Sequence, residues 1–124
     1  MKKKAIQRGE VYFAVLGTPF GSEQGGQRPV VILQNDQGNR HSNTVIVALL
    51  TSNTGKASLP THYILRSTEG LHLKQDTLVM LEQLKTIDKR RLVNLTGSIS
   101  EEDLRGIERA LRISVGLAPP NSDN

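Results

Sequence analysis

Residues 21–33, Gly21-Ser22-Glu23-Gln24-Gly25-Gly26-Gln27-Arg28-Pro29-Val30-Val31-Ile32-Leu33, join a polar glycine-rich loop to an apolar run through one arginine. Gly21, Gly25 and Gly26 let the loop bend sharply and bring its amides close to a bound group. Pro29 holds Arg28 extended and forbids a helix there. The β-branched run that follows reads as a buried strand. Arg28 thus sits where a flexible loop meets a rigid strand. A guanidinium fixed at such a place can grip a phosphate through two parallel hydrogen bonds. A plain turn carrying a solvated arginine is the alternative. A nucleotide phosphate loop is excluded, because no Gly-Lys-Ser/Thr follows and the next element is a strand.

Upstream, Glu10 to Leu16 alternates, with Val11, Phe13 and Val15 on one face and Glu10, Tyr12 and Ala14 on the other. That pattern predicts a half-buried strand. Gly17-Thr18-Pro19 breaks it and opens the loop, in which Phe20 reads as a plug seating the loop on the body, or else as a stacking face for a base. Downstream, the strand Val30–Gln34 runs into Asn35-Asp36-Gln37-Gly38-Asn39, a turn cluster, and Arg40 to Asn43 continue a polar connection. Thr44 to Leu50 is the most continuous apolar run and reads as a central strand. Thr51 to Lys56 is a hydroxyl-rich loop. Thr61 to Leu65 is another strand, Ser67 to Gly70 a turn, and Thr77 to Leu81 a further strand closed by Glu82-Gln83. Asp88 to Arg91 reads as one exposed helical turn, and Leu92 to Ile99 as a last short strand.

Ser100-Glu101-Glu102-Asp103 opens a helix. Ser100 can cap it, Asp103 stands at the capping-box position, and three acids lie at the positive end of the helix dipole. Leu104, Ile107, Leu111 and Val115 recur at helical spacing, and Gly116 and Pro119-Pro120 stop the helix. The order is five or six short strands and then one helix. It predicts a mainly β single domain over 1–124, a small antiparallel barrel with the helix on one side. Residues 1–7 and 118–124 are expected to be disordered tails.

Sixteen Lys and Arg stand against twelve Asp and Glu among 124 residues. The excess favours a polyanionic partner, nucleic acid or an acidic protein. Aromatics make up 3% of the chain, too few for an extended base-stacking platform. There is no cysteine, so disulfide and thiol chemistry are excluded, which fits the cytoplasm. No apolar run approaches the ~20 residues that span a bilayer. His41, His62 and His72 form no His-x-x-x-His pair, and no metal site or cofactor is expected. The histidines read as surface residues; shared acid–base duty between two of them is the alternative. Arg28 begins one strand, Thr51 ends the next, and Glu82-Gln83 ends a later one. In an antiparallel sheet these can meet at one rim, where arginine and hydroxyl suit a phosphodiester and Glu82 and Gln83 can read unpaired bases.

Arg8-Gly9-Glu10-Val11-Tyr12-Phe13, Gly21 to Val30, Ala48-Leu49-Leu50-Thr51 and Leu81-Glu82-Gln83-Leu84-Lys85-Thr86-Ile87-Asp88-Lys89 resemble the MazF/PemK family of toxin endoribonucleases, from about Arg8 to Leu117. The resemblance implies an SH3-like barrel with a C-terminal helix, a homodimer, and metal-independent cleavage of single-stranded RNA at short sequences. It implies that Arg28 and Thr51 are catalytic, and that Phe20, Ser22, Glu23, Gln24, Glu82 and Gln83 contact RNA. It also implies a MazE-like antitoxin whose acidic, flexible segment lies over the RNA groove. Gln27 stands where some members carry a histidine, so any role of that histidine is absent here. The expected reaction is attack of a ribose 2′-hydroxyl on the adjacent phosphate. A guanidinium does not readily give up its proton, so Glu23 is the better base if it points inward. A non-catalytic nucleic-acid-binding barrel and a gyrase-directed toxin of the same barrel remain as alternatives.

Overall fold

The structure is a computed structural model that describes residues 5–56, 59–66 and 69–121. The lysines of the basic tail, the beginning of the turn expected at Ser67, and residues 122–124 lie outside the described residues. The elements are β1 (Glu10–Val15), β2 (Gln27–Ile32), α1 (Asp36–His41), β3 (Thr44–Thr51), β4 (His62–Leu65), β5 (Thr77–Asp88), β6 (Leu92–Ser98) and α2 (Glu101–Ser114). Short 3-10 turns occupy Thr54–Lys56, Glu69–Leu71 and Lys89–Arg91.

All six strands form one sheet, in the order β4-β5-β3-β2-β1-β6, and every pairing is antiparallel. The edge strands β4 and β6 do not pair with each other, so the expected barrel is an open one. Its bend comes from β5. Leu49 of β3 faces Met80 while its neighbour Ala48 faces Leu84, so Leu81, Glu82 and Gln83 bulge out of that ladder. Such a bulge bends a strand and re-aims its side chains. The expectation that Glu82-Gln83 closes the strand is therefore corrected: pairing resumes at Leu84 and runs to Asp88.

Two apolar layers cover the two faces. Val11, Val31, Leu50, Val79 and Leu81 meet Ile107 and Ala110 of α2. Val30, Ile32, Val45, Val47, Leu49 and Met80 fill the other layer. Strands β2 and β3 are buried on both faces, which is why they read as continuous apolar runs. The half-buried reading of β1 is corrected for the same reason: Val11 and Ala14, on opposite predicted faces, are both fully buried, whereas Val15 is exposed. Two register shifts against β6 break the simple alternation there.

Helix α2 is capped as its sequence predicts, with Ser100 Oγ accepting from the Asp103 amide at 3.1 Å. The Asp103 carboxylate does not close the capping box; it accepts the Tyr63 hydroxyl at 2.6 Å. Gly106 makes room for that ring, because a Cβ there would fall 2.1 Å from Tyr63 Cε1. Ser114 Oγ donates to the Leu81 carbonyl at 2.6 Å and ties the end of the helix to the bulge in β5. Burying Ile107 contributes on the order of 2 kcal/mol.

The turn cluster at Asn35–Asn39 is instead the start of a helix, α1. Asn35 Oδ1 accepts from the Gly38 amide, and the buried Asn39 donates to the Gln34 carbonyl and to Asp36. The N-terminal segment is placed from residue 5: Ile6 packs on the second apolar layer, and the Gln7 amide donates to Glu10 Oε1. Arg8 then bonds the Leu33 carbonyl and pairs with Glu108 of α2 at 2.7 Å.

Candidate active site

Strands β2 and β3 pair only from Val30/Leu49 to Ile32/Val47. Beyond that, Gln27–Pro29 stay with β1 while Leu50 and Thr51 stay with β5, and the two strands part. The gap is a cleft of about 470 Å³. Arg28 and Thr51 line it from opposite sides, Phe13 and Pro29 give it an apolar wall, and His72 and Lys74 complete it from the segment before β5. A larger groove of about 750 Å³ holds His41 but neither Arg28 nor Thr51.

The arginine is held by backbone. Its Nε donates to the Gly25 carbonyl at 3.0 Å and its Nη1 to the Leu50 carbonyl at 3.3 Å. These use two of the five N–H groups of a guanidinium and leave three for a ligand. The Gly25 carbonyl reaches this place because the loop folds tightly on itself, with the Gly26 amide donating to the Gly17 carbonyl at 2.7 Å. A Cβ on Gly25 would lie 2.7 Å from both the Gly17 carbonyl oxygen and Pro19 Cδ, so only glycine fits without displacement. Across the cleft, Thr51 Oγ1 accepts from the Asn53 amide at 3.2 Å. That bond orients the hydroxyl and leaves its proton free to donate.

The other residues singled out in the sequence fall into two groups. Gln83, on the bulge of β5, accepts from the Gln24 amide at 3.3 Å and donates to the Ser22 carbonyl at 3.5 Å, so it holds the glycine-rich loop against the sheet. Glu82 lies apart from them. Its carboxylate accepts from Thr61 Oγ1 and from His62 Nε2, both at 2.9 Å. Burial pushes that carboxyl up, but the bonds from His62, its own backbone and Thr61 outweigh it and hold the group below the usual range.

Two expectations for the loop are corrected. Phe20 is no plug: it is 73% exposed. Glu23 does not point inward as a base. Its Oε1 accepts from the Phe20 amide at 3.0 Å, closing a local turn, and it does not line the cleft. His72 and Lys74 were missed as cleft residues. Their signal was position: the pairing of Thr51 with Leu78 puts the segment before β5 at the rim where β3 ends.

The fold has counterparts among solved structures. An endoribonuclease from a mycobacterial species, solved in complex with its cognate antitoxin, is 27% identical over 94% of this chain and all of that one, with a TM-score of 0.76. MazF from Deinococcus radiodurans superposes with a TM-score of 0.77 at 20% identity, over 92% of this chain and 99% of that one. The MazE-MazF complex of the same organism gives 0.73 at 19% identity, over 94% and 100% of the two chains. The family model of PemK-like, MazF-like toxins of type II toxin-antitoxin systems matches residues 7–115. A match over nearly the whole chain, on this fold, places the protein in that family of PemK-like, MazF-like toxins.

Proposed function

We propose that the protein is an endoribonuclease that cuts single-stranded RNA at short sequences, in the cleft between Arg28 and Thr51. The ribose 2′-oxygen bonds to the adjacent phosphorus and the bond to the 5′-oxygen breaks, leaving a 2′,3′-cyclic phosphate and a 5′-hydroxyl. DNA lacks the nucleophile. Negative charge grows on the non-bridging oxygens as the transition state forms, and fixed donors aimed there lower its energy most. Arg28 supplies the charge and Thr51 a neutral hydrogen bond, so the reaction proceeds without a metal.

The observation that carries this reading is the clamp on Arg28. Two backbone carbonyls fix the guanidinium while its remaining donors share a cleft with the Thr51 hydroxyl. Base choice falls to the loop and the bulge, through Ser22, Glu23, Gln24, Glu82 and Gln83, with the exposed Phe20 as a stacking face. The cleavage inhibits translation and growth in the cytoplasm. The enzyme works as a homodimer and is neutralised by a MazE-like antitoxin whose flexible acidic segment competes with RNA for the same cations. The mycobacterial relative solved with its cognate antitoxin supports that pairing. The test is an RNA carrying a single 2′-deoxynucleotide at the cleaved position. It should resist cutting there while the all-ribose strand yields a cyclic phosphate end. Cutting of the deoxy-substituted bond would overturn the mechanism.

A further inference from the structure

The cleft holds one imidazole. His72 follows the 3-10 turn Glu69–Leu71 and lies between the buried Leu71 and the half-buried Leu73, which fix its backbone. Its φ is +55, and it is the only non-glycine residue with positive φ among the described residues. Side chains that are not glycine rarely adopt this conformation, and such outliers gather at functional sites. Here the conformation brings the ring to the edge strand β6. His72 Nδ1 lies 2.7 Å from the Thr96 carbonyl oxygen on β6. A carbonyl can only accept, so Nδ1 carries the proton. In the neutral ring, Nε2 is then the nitrogen with a free lone pair. His72 lines the cleft with Arg28 and Thr51.

We infer that His72 is the general base of the reaction, its Nε2 taking the 2′-hydroxyl proton as that oxygen attacks phosphorus. The inference rests on the RNA-cleavage reading above and deepens it. The carboxylate that the sequence offered for this duty, Glu23, is turned into its own loop. The 2′-O–H bond breaks to Nε2, the 2′-oxygen bonds to phosphorus, and the phosphorus–5′-oxygen bond breaks. The departing 5′-oxygen takes a proton from water, and the imidazolium later returns its proton to solvent. Thr96 fixes the tautomer, as a partner carbonyl does for other histidines that exchange protons. The charged groups that share the cleft with His72 are Arg28 from β2 and Lys74 from its own segment; β3 contributes Thr51, the loop after it Ser52, and β6 Thr96, none charged.

The test compares wild type, His72→Asn and His72→Gly in single-turnover cleavage of one defined RNA across pH. Asparagine tolerates the positive φ and can still donate to Thr96, but it has no nitrogen in the Nε2 position. Glycine accepts the same φ and leaves a space the size of the ring. Both variants should bind the RNA as wild type does and cut it ~10²–10⁴-fold more slowly. A general base must be unprotonated to act, so the wild-type rate should fall toward acid pH, and both variants should lack that fall. Added imidazole should restore cutting by His72→Gly in proportion to its concentration. Folded variants that cut at the wild-type rate would overturn the inference and leave the cleavage reading standing. So would slow variants that keep the wild-type pH profile and ignore imidazole. A wild-type protein that leaves RNA intact would instead sink the cleavage reading on which the inference depends.

Discussion

Gly25→Ala tests the clamp on Arg28 without touching the arginine. The new methyl would lie 2.7 Å from the Gly17 carbonyl oxygen, 2.7 Å from Pro19 Cδ and 2.8 Å from Pro19 N. These are backbone and ring atoms rather than flexible tips, so the loop must move. Overpacking of this kind costs about 1–3 kcal/mol. Replacing glycine also stiffens the unfolded chain, which returns up to about 1 kcal/mol. The net loss of stability is on the order of 1–2 kcal/mol, read as a lower urea midpoint. The effect on rate should be larger. The displaced group includes the Gly25 carbonyl, which holds Arg28 Nε at 3.0 Å. Misplacing a reacting geometry by about 1 Å can cost ~10²-fold. Single-turnover cleavage at saturating protein, with circular dichroism as the folding control, reads this directly. A folded Gly25→Ala protein that cuts at the wild-type rate would refute the claim that the loop aims the guanidinium.

In helix α2, Gly106→Ala should destabilise the fold despite a helix-propensity gain of ~1 kcal/mol. The added carbon overlaps the Tyr63 ring and strains its bond to Asp103, for a net loss on the order of 1–3 kcal/mol in a urea melt. Stability should also fall in alkali. Burial, then Glu10, pushes the Tyr12 phenol up to about 12, and burial, then the bond to Asp103, pushes Tyr63 up to about 12. The unfolded chain releases these protons near the ordinary value of 10.0, so the stabilisation is whole below that pH and is lost as pH rises toward about 12. Urea midpoints across that window should fall less steeply in Tyr63→Phe than in wild type. Gln83→Ala frees the loop at Ser22 and Gln24 and should shift the cleavage motif by ~1–3 kcal/mol at one position, read by sequencing fragment ends. Equal slowing at every site would count against that assignment.

The fold was legible wherever local pattern and tertiary burial agree. The apolar runs of β2, β3 and the start of β5 and the Ser100 cap of α2 need only neighbouring residues to be understood. What escaped depends on distant partners. Helix α1 is polar and has Gly38 in its middle; its Asn39 anchors through Gln34 and Asp36 and through Lys89 from the 3-10 turn that follows β5. The bulge at Leu81–Gln83 lies where β5, paired with β3 on both sides of it, leaves its second neighbour β4. For the site, Arg28 and Thr51 were legible as a charge and a hydroxyl at strand ends. Glu23 was misread because a carboxylate's direction depends on which amide it finds, here that of Phe20. His72 was passed over because its place in the cleft is set by a β6 carbonyl twenty-four residues away.

The central claim is that Arg28 and Thr51 act on one transition state. Its most direct test is single-turnover cleavage of one short RNA by Arg28→Ala, Thr51→Ala and the double variant, each shown to be folded. Removing one such fixed donor typically costs about 2.7–4 kcal/mol, and Arg28→Ala should slow cutting by that amount, roughly a hundred- to a thousand-fold, with binding changed far less. Thr51→Ala should cost less, because it removes a neutral donor. The double variant should cost less than the sum of the two. A folded Arg28→Ala protein that cuts at near the wild-type rate would contradict the account.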